Sequence, residues 1–336
     1  MRAASLTQEV AKSMTNSELS SMEQALVSVI IPVFNGEKYI RCAIDSVLEQ
    51  DYKPIEIIVI DDGSSDATLE ILRDLGNEIS IYQQPNKGSA AARNLGIRMA
   101  KGSYIAFLDA DDYWFPGKIS AQMEALLATG CKMAFSRFLF WNVSDDDAWP
   151  DPASLLVQDP AGHLEKSLVE PRWVYADLLL DCLVWTSTVL VHKDELIRIG
   201  GFNEDLRKGQ DYDLWLRLSR TVQMAYLGQV TALYRIHVES ITHAPSIRCY
   251  EYEIVSGAVS NWGVVGPDGR SPGKKVVVQR IRRAAYNFSY AHWKCGDIRI
   301  GLQFLKRLRI EYGLGREGMI LYVRMLMASC CPQKNG

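Results

Sequence analysis

Along the first 110 residues, short apolar runs alternate with stretches whose apolar positions recur every three or four residues. The runs are "VSVIIPVF" (27–34), "IEIIVID" (55–61), "ISIYQQ" (79–84) and "SYIAFLD" (103–109). They are short, rich in β-branched and aromatic residues, and bounded by turn residues, which predicts strands. Between them, 37–50, 66–75 and 88–101 carry helical periodicity. Such alternation predicts right-handed βαβ units, hence an α/β domain with a mainly parallel sheet and helices on both faces. Ligands of such sheets bind outside the carboxyl ends of the strands. Those ends carry Pro32, Phe34 and Asn35 after the first run, Asp61 and Asp62 after the second, and Asp109, Asp111 and Asp112 after the fourth.

The pattern continues with a helix near 116–129, a strand near 132–141, a strand at 184–192, a helix at 210–219 and a strand at 230–237. The Asp- and Pro-rich stretch 144–163 reads as a long binding loop. From about 276, two amphipathic helices broken at Gly296 and Asp297 predict a helical hairpin packed on the α/β body. Residues 1–26 are polar and read as a mobile extension, not a signal peptide. The organisation expected is therefore an extension, a domain over 27–242 and a helical region over 243–336. The most apolar stretch, "MILYVRMLMASCC" (319–331), is short and interrupted by Arg324, so it predicts a packed C-terminal helix and not a membrane span.

Composition narrows the function classes. With 336 residues, 48% of them hydrophobic, the chain can bury a large core. A net charge of −3 supplies no general basic field, so nucleic acid is not the expected partner. The seven cysteines are odd in number and lack a Cys-x-x-Cys pair. That argues against a disulfide framework or structural zinc and favours a reducing, cytoplasmic compartment.

Two stretches suggest chemistry. "AFLDADDYW" (106–114) ends an apolar strand in three aspartates, whose mutual repulsion calls for a positive charge among them. Carboxylates at i and i+2 can converge on Mg2+ or Mn2+ and leave positions open for diphosphate oxygens. "DDGSSDAT" (61–68) reads as a turn with Ser65 or Asp66 as a helix cap. A carboxylate there can also accept hydrogen bonds from a base or ribose. Neither the G-x-G-x-x-G fingerprint nor a P-loop is present.

These stretches, together with "QPNKGSAAARNLGI", "GGFNEDLRKGQDYDLWLRL" and "YRIHVESIT", occur in order from about 27 to 242. The series resembles family 2 of the inverting glycosyltransferases. That GT-A-fold family includes cellulose, chitin and hyaluronan synthases and many bacterial surface-polysaccharide enzymes. The resemblance implies that Pro32, Phe34 and Glu37 flank a nucleobase and ribose pocket and that Asp62 reaches the base. It implies that Gly88 allows backbone approach and Arg93 lies beside the nucleotide. Asp109 would bind ribose or metal and Asp111 would be the main metal ligand, while Asp112 reads equally as a cap of the next helix. Asp211 would be the catalytic base, although as an Asp opening an amphipathic helix it also reads as an N-cap. The family usually has Glu where this chain has Gln210, a departure that bears on acceptor contacts. Arg235 would neutralise phosphate, and His237 would complete the metal shell or steady the leaving group.

The function implied is inverting transfer of a sugar from a nucleotide-diphosphate sugar, a UDP-sugar by expectation, in polysaccharide or glycoconjugate biosynthesis. The acceptor would be a saccharide or a lipid-linked one, and the cofactor Mn2+ or Mg2+. The 144–163 loop and Trp185 would shape the acceptor side, and the C-terminal helices offer peripheral contact at the inner face of the membrane. Two rivals remain at this point. An inactive nucleotide-sugar-binding subunit of an assembly complex is kept open by Gln210. A sugar nucleotidyltransferase would need a glycine-rich N-terminal phosphate loop that is missing.

Overall fold

A computed structural model describes residues 25–142, 169–236 and 246–330. The expected N-terminal extension up to residue 24, the whole 144–163 loop and His237 lie outside the described residues. The described chain forms two compact units: residues up to Val174 with those from Leu183 to 236, and Tyr175–Cys182 with those from 246 onward.

The first unit is built on a nine-stranded sheet in the order β3-β2-β1-β4-β8-β6-β9-β5, with β7 also paired to β9. Strands β1 (Val27–Val33), β2 (Ile55–Asp61), β3 (Ser80–Gln83) and β4 (Tyr104–Phe107) pair in parallel. Helices α1 (Ile40–Leu48), α2 (Thr68–Asp74) and α3 (Ser89–Met99) make the crossovers. All seven residues of β1 are buried, the pattern of a strand covered on both faces. Helix α1 buries Ile40, Ala43, Ile44 and Val47, an i, i+3, i+4, i+7 stripe. Each of its fully buried aliphatic side chains contributes roughly 1.5–3 kcal/mol.

Beyond β4 the sheet is mixed, so the parallel expectation describes its first half. Strand β8 (Leu190–His192) runs antiparallel to both β4 and β6 (Met133–Asn142). β9 (Met224–Ile236) lies parallel to β6 and takes the short strands β5 (Tyr113–Trp114) and β7 (Glu170–Arg172) antiparallel. The strand expected over 184–192 is a 3-10 turn at Thr186–Thr188 followed by β8, and that expected at 230–237 begins earlier, at Met224. Helices α4 (Lys118–Thr129), α6 (Lys193–Arg198) and α7 (Gln210–Leu218) complete this unit.

The second unit holds the short α5 (Tyr175–Leu178) and four helices, α8 (Tyr250–Trp262), α9 (Lys274–Cys295), α10 (Ile298–Glu311) and α11 (Gly315–Cys330). The Tyr175 hydroxyl pins α5 by donating to the Gly263 carbonyl at 2.7 Å. The expected break at Gly296 and Asp297 is present, and Asp297 caps α10 by accepting from the Arg299 N–H at 2.8 Å. Among the described residues no helix is long and apolar enough to cross a membrane.

Candidate active site

Because β1, β2 and β4 are parallel, their C-terminal ends share one edge of the sheet. β8 runs the other way while β6 and β9 run with β4. The start of β8 and the ends of β6 and β9 therefore reach that same edge, where the candidate residues gather.

At the β1 and β2 ends, side chains are occupied in holding loops together. Pro32 is buried opposite Ile60 and lies past the last β1–β4 pair, where its missing N–H costs no sheet bond. Phe34 is half exposed, at 50%. Asn35 adopts φ 51°, a left-handed conformation Asn tolerates, and its Oδ1 accepts from the Ser65 N–H at 2.8 Å. Glu37 accepts the Ala67 N–H at 2.9 Å, so its carboxylate tethers the start of α2. Asp66 accepts from the Thr68 N–H at 3.1 Å and from its hydroxyl. Burial raises the Asp66 carboxyl, but the hydrogen bonds from Thr68 and Glu37 outweigh it and hold the group below its ordinary value.

Asp62, 4% exposed, accepts from Gln84 Nε2 at 2.7 Å, the Lys87 N–H at 2.9 Å and the Gly88 N–H at 2.7 Å. The carboxylate expected to reach a base thus clamps the loop leading into α3. Gly88 has φ 93°, and a Cβ there would lie 3.1 Å from Arg207 Nη1. The positive φ is what favours glycine there, and a side chain would also have to displace the tip of Arg207.

Helix α3 carries Arg93, which is 5% exposed. Its Nη2 donates to Asp109 Oδ1 at 2.5 Å, and its guanidinium lies 5.4 Å from the centre of the Phe202 ring. Its Nε and Nη1 are buried with no partner among the described residues, a costly state unless a ligand oxygen meets them. The adjacent Asn94 holds Phe202 on both sides, accepting its N–H at 2.8 Å and donating to its carbonyl at 2.9 Å. Gly201 (φ 69°) permits this, since a Cβ would stand 2.5 Å from Asn94 Oδ1. The motifs "AARN" and "GGFN", more than a hundred residues apart, meet here.

The β4 end concentrates the charge. Asp109 is partly exposed and Asp112 is buried at 3%. Burial raises the Asp109 carboxyl, Arg93 draws it down, and the charges of Asp111 and Asp211 push it up again, leaving it above the ordinary value. Asp112 is raised well above it, by burial first and then by Asp111 and Asp109. Asp112 does not cap α4, whose N-cap is Gly117. It accepts instead from Ser187 Oγ at 2.5 Å and from the Arg235 N–H at 3.2 Å, tying the 3-10 turn to β9.

Asp211 lies in the first turn of α7, where Gly209 and not Asp211 is the N-cap. Its Oδ2 accepts from Thr186 Oγ1 at 3.2 Å and its Oδ1 from the Tyr212 N–H at 2.8 Å. The preceding Gln210 turns inward, 9% exposed, and donates to Ser89 Oγ at 2.7 Å. A neutral amide is cheaper to bury there than a carboxylate. Gln210 thus joins α7 to α3.

Arg235, expected at phosphate, is buried. Its Nε donates to the Asp111 carbonyl at 2.7 Å, and its guanidinium lies 4.4 Å from the Tyr39 ring centre and 4.1 Å from that of Trp141. These contacts fix the backbone that presents Asp111.

The donor set consists of carboxylate oxygens, which suit a hard cation. Among the described residues no three His, Cys, Asp or Glu side chains form a closed metal cage. Asp109 and Asp111 supply hard oxygen donors of the type a divalent ion takes, so such an ion would need further ligands from outside the described side chains. A cation there would offset the crowded charge on Asp109 and Asp112.

Sequence motifs did not reveal several participants. Arg207 is packed at Gly88, and Thr186 and Ser187 hold Asp211 and Asp112. Trp114 Nε1 donates to the Ser187 carbonyl at 2.7 Å and Gln122 Nε2 to the Thr188 carbonyl at 2.6 Å, bracing that turn. Tyr234 feels the charge of all four aspartates. Burial first, then the charges of Asp112, Asp111, Asp109 and Asp211, push its hydroxyl up to about 12.

Comparison with known proteins identifies the family and the fold. The sequence profile described as Glycosyl transferase family 2 matches residues 28–174. The chain is 32% identical over 227 residues to the Escherichia coli UDP-Glc:alpha-D-GlcNAc-diphosphoundecaprenol beta-1,3-glucosyltransferase WfaP, covering 65% of this chain and 80% of that one. Its fold is similar to that of S. aureus TarS 1-349 in complex with UDP, with a TM-score of 0.58 at 16% identity over 90% of each chain. It is also similar to the mannosyltransferase PcManGT from Pyrobaculum calidifontis in complex with GDP-Man and Mn2+, with a TM-score of 0.51 at 16% identity over 92% of this chain and 82% of that one. With the ordered motifs, the mixed sheet and the aspartate rim, these matches establish that the chain is a glycosyltransferase of family 2 with the GT-A fold.

Proposed function

We propose that the protein transfers a sugar, with inversion, from a UDP-sugar to a saccharide or lipid-linked acceptor during surface-polysaccharide assembly. The observation that carries this reading is the convergence of aspartates on one 3-10 turn: Ser187 Oγ accepts the Asp109 N–H and donates to Asp112, and the adjacent Thr186 donates to Asp211. WfaP's name supports a UDP-sugar and a diphospholipid acceptor, and PcManGT's bound Mn2+ supports a divalent ion.

In this reading Asp211 accepts the proton of the acceptor hydroxyl as that oxygen attacks the anomeric carbon. Thr186 and the Tyr212 N–H, each bonded to one of its oxygens, orient the carboxylate. Asp111 and Asp109 would hold Mn2+ or Mg2+, which when bound offsets charge on the departing diphosphate. His237, two residues beyond Arg235 on the chain, is proposed as a further ligand. The unpartnered Nε and Nη1 of Arg93 supply donors for phosphate or ribose oxygens. Pro32, Phe34, Glu37, Asp62 and Gly88 are proposed to frame the base and ribose, Asp62 by fixing the loop. Arg235 acts through Asp111 as a positioning residue.

The test is nucleotide release from a panel of UDP- and GDP-sugars with Mn2+, for the wild type and Asp211→Asn. Transfer is expected to fall about 10²- to 10⁴-fold in the variant, and undiminished turnover would remove Asp211 as base.

Membrane contact belongs to the same reading. In residues 246–330 Lys and Arg outnumber acids by more than two to one. Helix α11 exposes Met319 at 40%, Ile320 at 45%, Val323 at 41% and Met327 at 66%, an i, i+1, i+4, i+8 face. Exposed Arg316 and Arg324 belong to the same helix. Basic residues around an apolar stripe suit an anionic lipid surface. Cosedimentation with phosphatidylglycerol vesicles, absent with phosphatidylcholine and lost in Met327→Asp, is the expected outcome.

A further inference from the structure

Beyond the aspartates, the rim carries four aromatic rings. On β6, Phe138 and Phe140 fall on one face of the strand, with ring centres 5.1 Å apart. Trp185, at the entrance to the 3-10 turn, lies 4.5 Å from Phe138 and 5.8 Å from Phe140. Tyr234, paired with Phe140 across β6 and β9, lies 4.6 Å from Trp185 and 5.8 Å from Phe140. None of the four is fully buried, and Phe140 is 59% exposed. A ring left that open forgoes the stabilisation that burial would give it, which marks the patch as a contact surface and not core.

Its place in the sheet identifies the contact. Trp185 directly precedes Thr186, whose hydroxyl donates to Asp211. In the strand order, β4 and β8 separate the β1 end from β6 by three strand spacings, about 14 Å, and the β2 end lies one spacing further. The ends of β1 and β2, which lead into Phe34 and Asp62, thus lie across the β4 end and its Asp109 from the strands that carry the rings. We propose that Phe140, Trp185 and Tyr234 form the acceptor subsite, stacking against the apolar face of a pyranose ring and presenting its hydroxyl to Asp211. A pyranose carries C–H bonds on its face and hydroxyls at its edge, the combination that rings beside carboxylates match. A lipid chain would not use the carboxylates, and a nucleobase is proposed to lie on the opposite side. The assignment rests on the transferase reading of this rim.

The test is saturation-transfer NMR on the full chain with UDP and Mn2+ present, using methyl β-D-glucopyranoside and methyl N-acetyl-β-D-glucosaminide as probes and acyclic sorbitol as control. UDP binding is measured on the same samples. Saturation is expected on one face of the pyranoside and not on sorbitol. Phe140→Ala and Trp185→Ala are expected to weaken pyranoside binding about tenfold, and Phe140→Tyr to restore it. Pyranoside binding unchanged in Phe140→Ala, equal saturation of sorbitol, or a wild type that binds UDP but neither pyranoside would overturn the subsite. A wild type that binds no UDP would strike the transferase reading instead, and the pyranoside titration of Phe140→Ala would still decide the platform.

Discussion

Two groups of carboxylates sit on the same edge of the sheet and are treated in opposite ways. At the β1 and β2 ends, Glu37 and Asp62 are met by backbone N–H groups, one for Glu37 and two for Asp62. At the β4 end, Asp109 and Asp112 face other carboxylates, and burial with like charge raises both. Carboxylates met only by donors hold loops in place. Asp109 and Asp112 also have donors, Arg93 for the one and Ser187 and the Arg235 N–H for the other, but face like charge besides, an unfavourable interaction that a cation would relieve. The difference separates architecture from chemistry more clearly than residue type does.

The comparison can be broken by substitution on either side. The largest effect is expected at Asp211, the loss of transfer described above. Asp111→Asn should raise the Mn2+ concentration needed for half-maximal activity by at least about 100-fold, more than loss of a supporting partner costs. On the architectural side, Asp62→Ala should leave the Lys87 and Gly88 N–H groups without their acceptor. It should cost about 3 kcal/mol of stability by urea unfolding, with any loss of activity following from a displaced α3 loop. Glu37→Ala should cost only about 0.5–1 kcal/mol, as an exposed helix-start tether.

The crowded side also predicts a pH signature with a definite sign. Asp109 and Asp112 have folded-state values above their unfolded ones, so between the two values the folded chain binds more protons. Their contribution is complete below about pH 3.9 and is lost as pH rises through the raised values. In metal-free protein, thermal unfolding curves should show Asp112→Asn losing less stability than wild type as pH is raised from 4 to 7. An identical pH dependence in both would mean that Asp112 carries no such strain.

Much of the first half of the fold was legible in the sequence, for a physical reason. β1 and β4 are buried along their whole length and β2 over its last five residues, so they read as near-continuous apolar runs, and α1 shows its buried stripe as a 3.6-residue period. The second half was less legible. β9 runs for 13 residues with mixed burial, so only its apolar end stood out. The stretch "VWTSTV" resembles a strand in composition but makes a 3-10 turn, because its hydroxyls serve Asp112, Asp211 and the Trp185 carbonyl.

At the site, the motifs marked positions and not roles. Asp62 and Arg235 were recognised, yet what each holds depends on backbone groups distant in sequence, the Gly88 N–H and the Asp111 carbonyl. Tyr39 and Trp141, which enclose Arg235, carry no pattern distinguishing them from core aromatics. The aromatic patch around Phe140 was foreshadowed only by Trp185, since the pairing of β6 with β9 that assembles it is not written locally.

The central claim is that the aspartate rim holds a divalent ion together with the nucleotide. It is tested most directly by calorimetric titration of Mn2+ into the protein with UDP present, for wild type and Asp111→Asn. The prediction is a saturable site in the wild type that the variant loses while it still folds. Equal Mn2+ binding by both proteins would contradict it.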